Sequence, residues 1–373
     1  MDRDYWGSIA TLMGTIVGAG VLGIPFVVAK SGIFNGLLVI LIIGILMAFV
    51  FLYLGEITLR TRGIHQLTGY AEIYLGKKGK FFMMLSMILG IYGALLAYTL
   101  GTGKAAAALL GGNSFVYSLI IFAICSYVVY KGLKAVENSE LYFVFGTIIV
   151  ILLISMISMN KVNPENLKSS LELSKIFIPF GVILFAFLGT SGIPEIREEL
   201  QGKEKSMKKV IILTLIVVTI VYSLFALISV GVMGKETTDI ATVGLGKTVN
   251  ESVLILGNIF AIFAMSTSFL VLGLALKEMY NYDYQISENK SWLLTVSIPL
   301  LMFLFLAGST TFTKILSITG IIVGGLEGIL IVLMYFKAKQ LGNRKPEFEI
   351  KKSYTIAFLI ILIFALGVIF GLR

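Results

Sequence analysis

Two apolar stretches, GTIVGAGVLGIP at 14–25 and FAFLGTSGIPEI at 185–196, both run through a glycine cluster into Gly-Ile-Pro. Pro25 and Pro194 are two of only six prolines. Glycine lowers helix propensity, and proline removes a backbone donor and clashes with the preceding turn. The chain is therefore predicted to unwind twice inside otherwise continuous helices. In lipid such unwinding is tolerated only where the freed backbone groups face protein or a water-filled cavity, so paired breaks point to a central binding site.

The remaining residues supply the lipid context. Of 373 residues, 57% are hydrophobic and 14% charged, the balance of a polytopic membrane protein. With about 20 apolar residues per span, the reading is an all-α integral membrane protein of about eleven helices. They are expected over 5–31, 35–59, 81–103, 114–133, 139–159, 174–199, 207–233, 252–277, 291–307, 311–336 and 353–372. No connection between them is long enough for a soluble domain. The first segment has no small-residue cleavage site after a short apolar core and is read as a functional helix, not a removed signal.

A cytoplasmic N-terminus places 21 of the 30 Lys and Arg residues in inner segments and the C-terminus outside, so the net charge of +9 reads as topology. Nucleic acid is not an expected partner. Anionic membrane lipid is the functional alternative for these basic clusters. Cys125, the one cysteine, lies in an apolar span and reads as packing, which leaves no disulfide framework and no thiolate metal cluster. His65, the one histidine, reads as a solvated loop residue.

Setting Pro25 against Pro194 gives an offset of 169 residues, and each break opens a run of five spans. Five is odd, so the second run enters the membrane from the opposite side. This is the 5+5 inverted repeat of many secondary transporters, with residues 1–160 and 174–337 as its halves and 353–373 as an additional helix. Coincidence of two Gly-Pro kinks is the plainer alternative.

Three stretches, GTIVGAGVLGIPF at 14–26, YGALLAYTLGTG at 92–103 and TSFLVLGLALKE at 267–278, resemble the amino acid/auxin and aromatic amino acid permeases of the amino acid, polyamine and organocation superfamily. The resemblance implies secondary active transport of a neutral or aromatic amino acid, by cation symport and alternating access at the cell membrane. Segments 1, 2, 6 and 7 would rock against the rest. An amino-acid sensor on the same scaffold, or an exchanger without ion coupling, remains open. An enzyme is disfavoured because the chain has no HExxH, GxSxG or P-loop sequence.

A zwitterion needs partners for carboxylate and ammonium, and an unwound helix offers both. The expected N–H donors are Gly18, Ala19 and Gly20. The expected acceptors are the carbonyls of Thr15 and Ile16 and those from Phe187 through Gly189 to Thr190, with hydroxyls from Thr15, Thr190 and Ser191. The same small residues also permit close helix packing. The resemblance places an aromatic-bearing third helix against the substrate, so Tyr92 and Tyr98, with Phe187 of the sixth segment, are expected to read the substrate side chain; a core or interfacial position is the alternative for each tyrosine. The resemblance further implies a sodium position with carbonyls from Gly14 and Val17 and hydroxyls from Thr267 and Ser268. The alternative coupling ion is a proton, for which the intramembrane acids Glu327 and Glu56 are candidates; each also reads as a buried structural carboxylate. Arg3 and Trp6, resembling a gating pair of related sodium symporters, would close on Glu278 or Asp283; anchoring at the membrane interface is the alternative. Glu195, Glu198 and Glu199, flanked by Arg197, read as a solvated face. No cofactor is expected beyond the coupling ion.

Overall fold

The computed structural model describes residues 3–132, 140–282 and 284–371. All of its regular structure is helical among these residues. The helices are α1 (Arg3–Ile16), α2 (Ile24–Ser31), α3 (Ile33–Arg60), α4 (Leu67–Leu110), α5 (Ser114–Lys131), α6 (Glu140–Ser158), α7 (Phe180–Ala186) and α8 (Gly192–Glu199). They continue with α9 (Met207–Met233), α10 (Ala241–Val249), α11 (Glu251–Tyr282), α12 (Glu288–Leu306), α13 (Phe312–Thr319), α14 (Gly325–Leu341) and α15 (Tyr354–Gly371). Each of the eleven expected segments contains helix.

Eight helical stretches are long and apolar enough to cross a membrane, and the bent pair α1 and α2 makes nine. Of the two other segments, the sixth is cut by its break into α7 and α8 of seven and eight residues, and the fifth is the 19-residue apolar helix α6. Outward faces carry large apolar side chains at helical spacing, among them Leu41 and Ile45, Ile120 and Ile124, and Ile216 and Ile220. Such faces would be a liability in water and suit acyl chains.

Glycines set the bends. Gly32 at φ +86° separates α2 from α3. Gly76 at φ +71° divides a short lead-in from the long remainder of α4, so this helix begins well before the expected 81. A π-helical turn at Gly320–Gly324 joins α13 to α14.

Side-chain contacts define two faces of the bundle. On the N-terminal face, Lys203 pairs with Asp4 at 2.6 Å and the Thr11 hydroxyl donates to Glu199 at 2.7 Å. On the opposite face, Asn35 donates to the Glu172 carbonyl and Lys104 pairs with Asp239.

Candidate substrate site

The two breaks meet. Helix α1 makes its last regular bond from Val17 N–H to Met13 O (2.7 Å); the Gly18 N–H then turns back onto Ile16 O at 3.0 Å. After a 50° bend the chain resumes as a 3₁₀ turn over Ala19–Gly23. The N–H groups of Ala19 and Gly20, and the carbonyls of Gly14, Thr15 and Val17, have no protein partner among the described residues. Two of the three expected donors are therefore open. Gly18 is engaged, as is the Ile16 carbonyl.

In the second break, Leu188 N–H closes α7 on Phe185 O and Gly192 N–H opens α8 on Gly189 O, both at 3.1 Å. The N–H groups of Gly189, Thr190 and Ser191 have no backbone partner among the described residues. The crossing requires bare backbone: a Cβ on Gly189 would lie 2.5 Å from Ile16 Cγ1 and 3.2 Å from Ile16 N, and one on Gly20 would lie 2.9 Å from Ala186 Cα. Tyr222 of α9, fully buried, sets its hydroxyl between Ala186 O at 2.8 Å and Ile16 O at 3.3 Å, so it can donate to either break. Nothing in its apolar surroundings in the sequence marks it apart from the other 15 tyrosines.

Two expected side chains converge beside the first break. A Cβ on Gly18 would sit 3.7 Å from Ser268 Oγ and 4.0 Å from the Tyr98 hydroxyl. At the second break the buried Thr190 hydroxyl donates to Glu327 at 2.9 Å, so an acid from α14, 137 residues away in sequence, stands at the unwound backbone. The Thr15 hydroxyl donates back to Thr11 O, and the Thr267 hydroxyl is within bonding distance of Phe263 O and Ala264 O on its own helix. Gly7, Thr11, Gly14, Thr15 and Gly18 are all half-buried and recur at three- and four-residue spacing. A stripe of small and hydroxyl residues thus runs along α1 to the break.

Other expected residues lie elsewhere. Tyr92 shares a 2.8 Å hydrogen bond with the Tyr280 hydroxyl and donates to Leu294 O at 3.1 Å, so it joins α4 to α11 and α12. It is about 9 Å along α4 from Tyr98. The Phe187 ring is buried edge-on to Tyr222 and turned toward Gly44 of α3, within the packing behind the break. Glu56 is fully buried and ion-paired with Arg60 (2.7 Å) and Lys339 (2.6 Å), and it accepts from Ile350 N–H. These partners are those of a buried structural carboxylate.

Arg197 also departs from a solvated face. It is 9% exposed and donates to Gly63 O, Tyr70 Oη and Thr61 O, tying α8 to the connection between α3 and α4. Of the expected gate, Trp6 is 44% exposed and stacks edge-on with Tyr5, and Glu278 is exposed. Asp283 and the side chain of Arg3 lie outside the described residues. Cys125 is buried, and His65 rests edge-on to Tyr70.

The family profile of tryptophan/tyrosine permeases matches residues 1–372. The chain belongs to the tryptophan/tyrosine permease family. Among curated relatives of this permease, glutamine transporter 2 of Aliivibrio fischeri is 26% identical over 317 residues, 81% of each chain. Tyrosine-specific transport system 1 of Haemophilus influenzae is 26% identical over 325 residues, 80% of each chain. The branched-chain amino acid permease of Bacillus subtilis is 27% identical over 260 residues, 62% of this chain and 55% of the relative. The permease is thus a multi-pass membrane protein of an amino-acid transporter family and not an enzyme.

Proposed function

We propose that this permease carries a neutral or aromatic amino acid across the cell membrane by cation-coupled symport, with alternating access about the crossed breaks. The carrying observation is that crossing. Open N–H groups at Ala19 and Gly20 suit a carboxylate, and open carbonyls at Gly14, Thr15 and Val17 suit an ammonium or a hard cation, where little water competes. Tyr98 and Ser268, beside Gly18, are the side chains placed to meet the substrate.

Glu327 is our candidate for proton coupling. Its one hydrogen-bond partner among the described residues is a hydroxyl on the second break, so gain or loss of a proton there alters a contact to the unwound segment directly. Sodium coupling is a second reading, favoured by the Gly14 and Val17 carbonyls, unpaired among the described residues, on the stretch that brings Gly18 beside Ser268. The proposal includes a cytoplasmic N-terminus, an extracellular C-terminus and two five-helix halves in inverted orientation. Motion of α1–α3 and α7–α9 against the remainder would open each side in turn.

Uptake of a labelled amino-acid panel into proteoliposomes, under an imposed proton gradient, a sodium gradient or neither, tests it. Saturable accumulation driven by protons supports Glu327, and accumulation driven by sodium supports the carbonyl site. Uptake that never exceeds equilibration under any gradient overturns symport.

A further inference from the structure

We propose that Asp239 is the positioning residue that holds the face opposite the N-terminus closed, by fastening α13 over the first broken helix. The inference rests on the transport reading above, since it assigns the residue a part in alternating access. Asp239 lies in the connection between α9 and α10. Its carboxylate accepts from Lys104 Nζ of α4 at 2.7 Å, from the backbone N–H groups of Phe312 (3.1 Å) and Thr313 (3.0 Å), and from the Thr313 hydroxyl. One side chain thus satisfies two orphan donors of the first turn of α13 and one lysine of a different helix, where the helix dipole adds to the attraction.

The contact continues inward to the breaks. Thr313 stands with its methyl 3.0 Å from where a Cβ on Gly23 would lie, and Leu316, one turn further and fully buried, is 3.4 Å from the same point. Gly23 ends the 3₁₀ turn that follows the first break. Removing Asp239 would therefore loosen the helix that covers this half of the broken segment. The loop holding it is fixed in turn, because Thr237 donates to Gly234 O and Thr238 to Ile240 O while accepting from Gly244 N–H.

The surroundings fit a contact that must break and reform. A cavity of about 370 Å³, bordered by Lys104, Ser114, Asp239 and Lys247, lies against the cluster. The Lys104 and Asp239 side chains are 35% and 15% exposed, so water can reach the pair and replace its bonds when the helices part. A fully buried pair would make parting much costlier. In this structure Ala19–Gly23 are buried, with Gly23 against Thr313 and Leu316 of α13, whereas the half-buried stripe from Gly7 to Gly18 approaches the same break from the N-terminal side.

The test is labelling of Leu316→Cys in a Cys125→Ser background by a membrane-impermeant maleimide applied from the Asp239 face, alongside amino-acid uptake. Asp239→Asn is expected to raise the labelling rate at least fivefold and to lower maximal uptake, with Asp239→Glu restoring slow labelling. Lys104→Gln leaves the α13 cap in place and is expected to give a smaller rise, about two- to threefold. Unchanged labelling in Asp239→Asn, with monodisperse protein, overturns the proposal. If Asp239→Asn does not fold, Thr313→Val, which removes the hydroxyl bond to Asp239, decides: raised labelling supports the latch and unchanged labelling overturns it. Absence of any uptake by the parent protein would overturn the transport reading, while labelling still reports on the latch.

Discussion

Glu56 and Glu327 are both carboxylates sunk in apolar helices, yet their neighbours differ in kind. Glu56 has Arg60, Lys339 and a backbone N–H around it, and the flanking Tyr53 and Tyr335 rings stack 4.0 Å apart. Glu327 has one neutral hydrogen-bond partner among the described residues, Thr190, at the second break. Adding a proton to Glu56 would leave Arg60 and Lys339 only the more exposed Glu349 as counter-charge, whereas adding one to Glu327 strands no cation among the described residues. Burial alone does not identify a coupling acid; the difference lies in how many fixed charges would be stranded.

Substitutions at the two acids should separate these roles. The largest effect is expected for Glu327→Gln, which should reduce proton-driven accumulation more than tenfold while leaving the melting temperature in detergent within a few degrees. Wild-type accumulation in that variant would remove Glu327 from coupling. Glu56→Gln should act on stability, costing about 3 kcal/mol because it removes the buried partner of Arg60 and Lys339 and leaves them only the exposed Glu349. Its signature is a large drop in thermal midpoint with little change in the apparent KM of protein that remains folded; a normal midpoint would break the contrast.

Two smaller contrasts sharpen the same point. Thr190→Val removes the one hydrogen bond to Glu327 among the described residues and should shift the pH dependence of uptake while lowering its rate severalfold, a change readable in initial rates from pH 5 to 8. Tyr98→Phe should raise the apparent KM about three- to tenfold, consistent with loss of one hydrogen bond worth about 1 kcal/mol. Tyr92→Phe, by contrast, should cost about 1 kcal/mol of stability and leave KM alone. Equal KM effects for both tyrosines would show that Tyr98 has no special place.

The breaks were legible because glycine and proline act through the local backbone, and two Gly-Ile-Pro sequences at matching depths leave few alternatives. Tyr98, Ser268 and Gly18 were legible through their motifs, and the structure places them together. Tyr92 and Phe187 were not separable from Tyr98 by residue type, since which face a side chain occupies depends on how neighbouring helices pack. Glu56 could not be sorted from Glu327 because Lys339 and Ile350 come from nearly 300 residues away. Arg197 looked solvated among acids, and only the fold brings the carbonyls of Thr61 and Gly63 to it. Asp239, in a short polar connection, carried no signal that it would serve the start of α13.

The π-helical turn at Gly320–Gly324 has a consequence for insertions and deletions. A π turn holds an extra residue relative to an α-helical one, and each α-helical residue advances about 100° around the axis. Glu327 begins three residues beyond that surplus, in the first turn of α14. Deleting Val323 would let the helix regularise with Glu327 at nearly the same angle, whereas regularising the turn with all its residues kept would carry Glu327 about a quarter turn away from Thr190. The surplus residue thus sets the angular address of the acid.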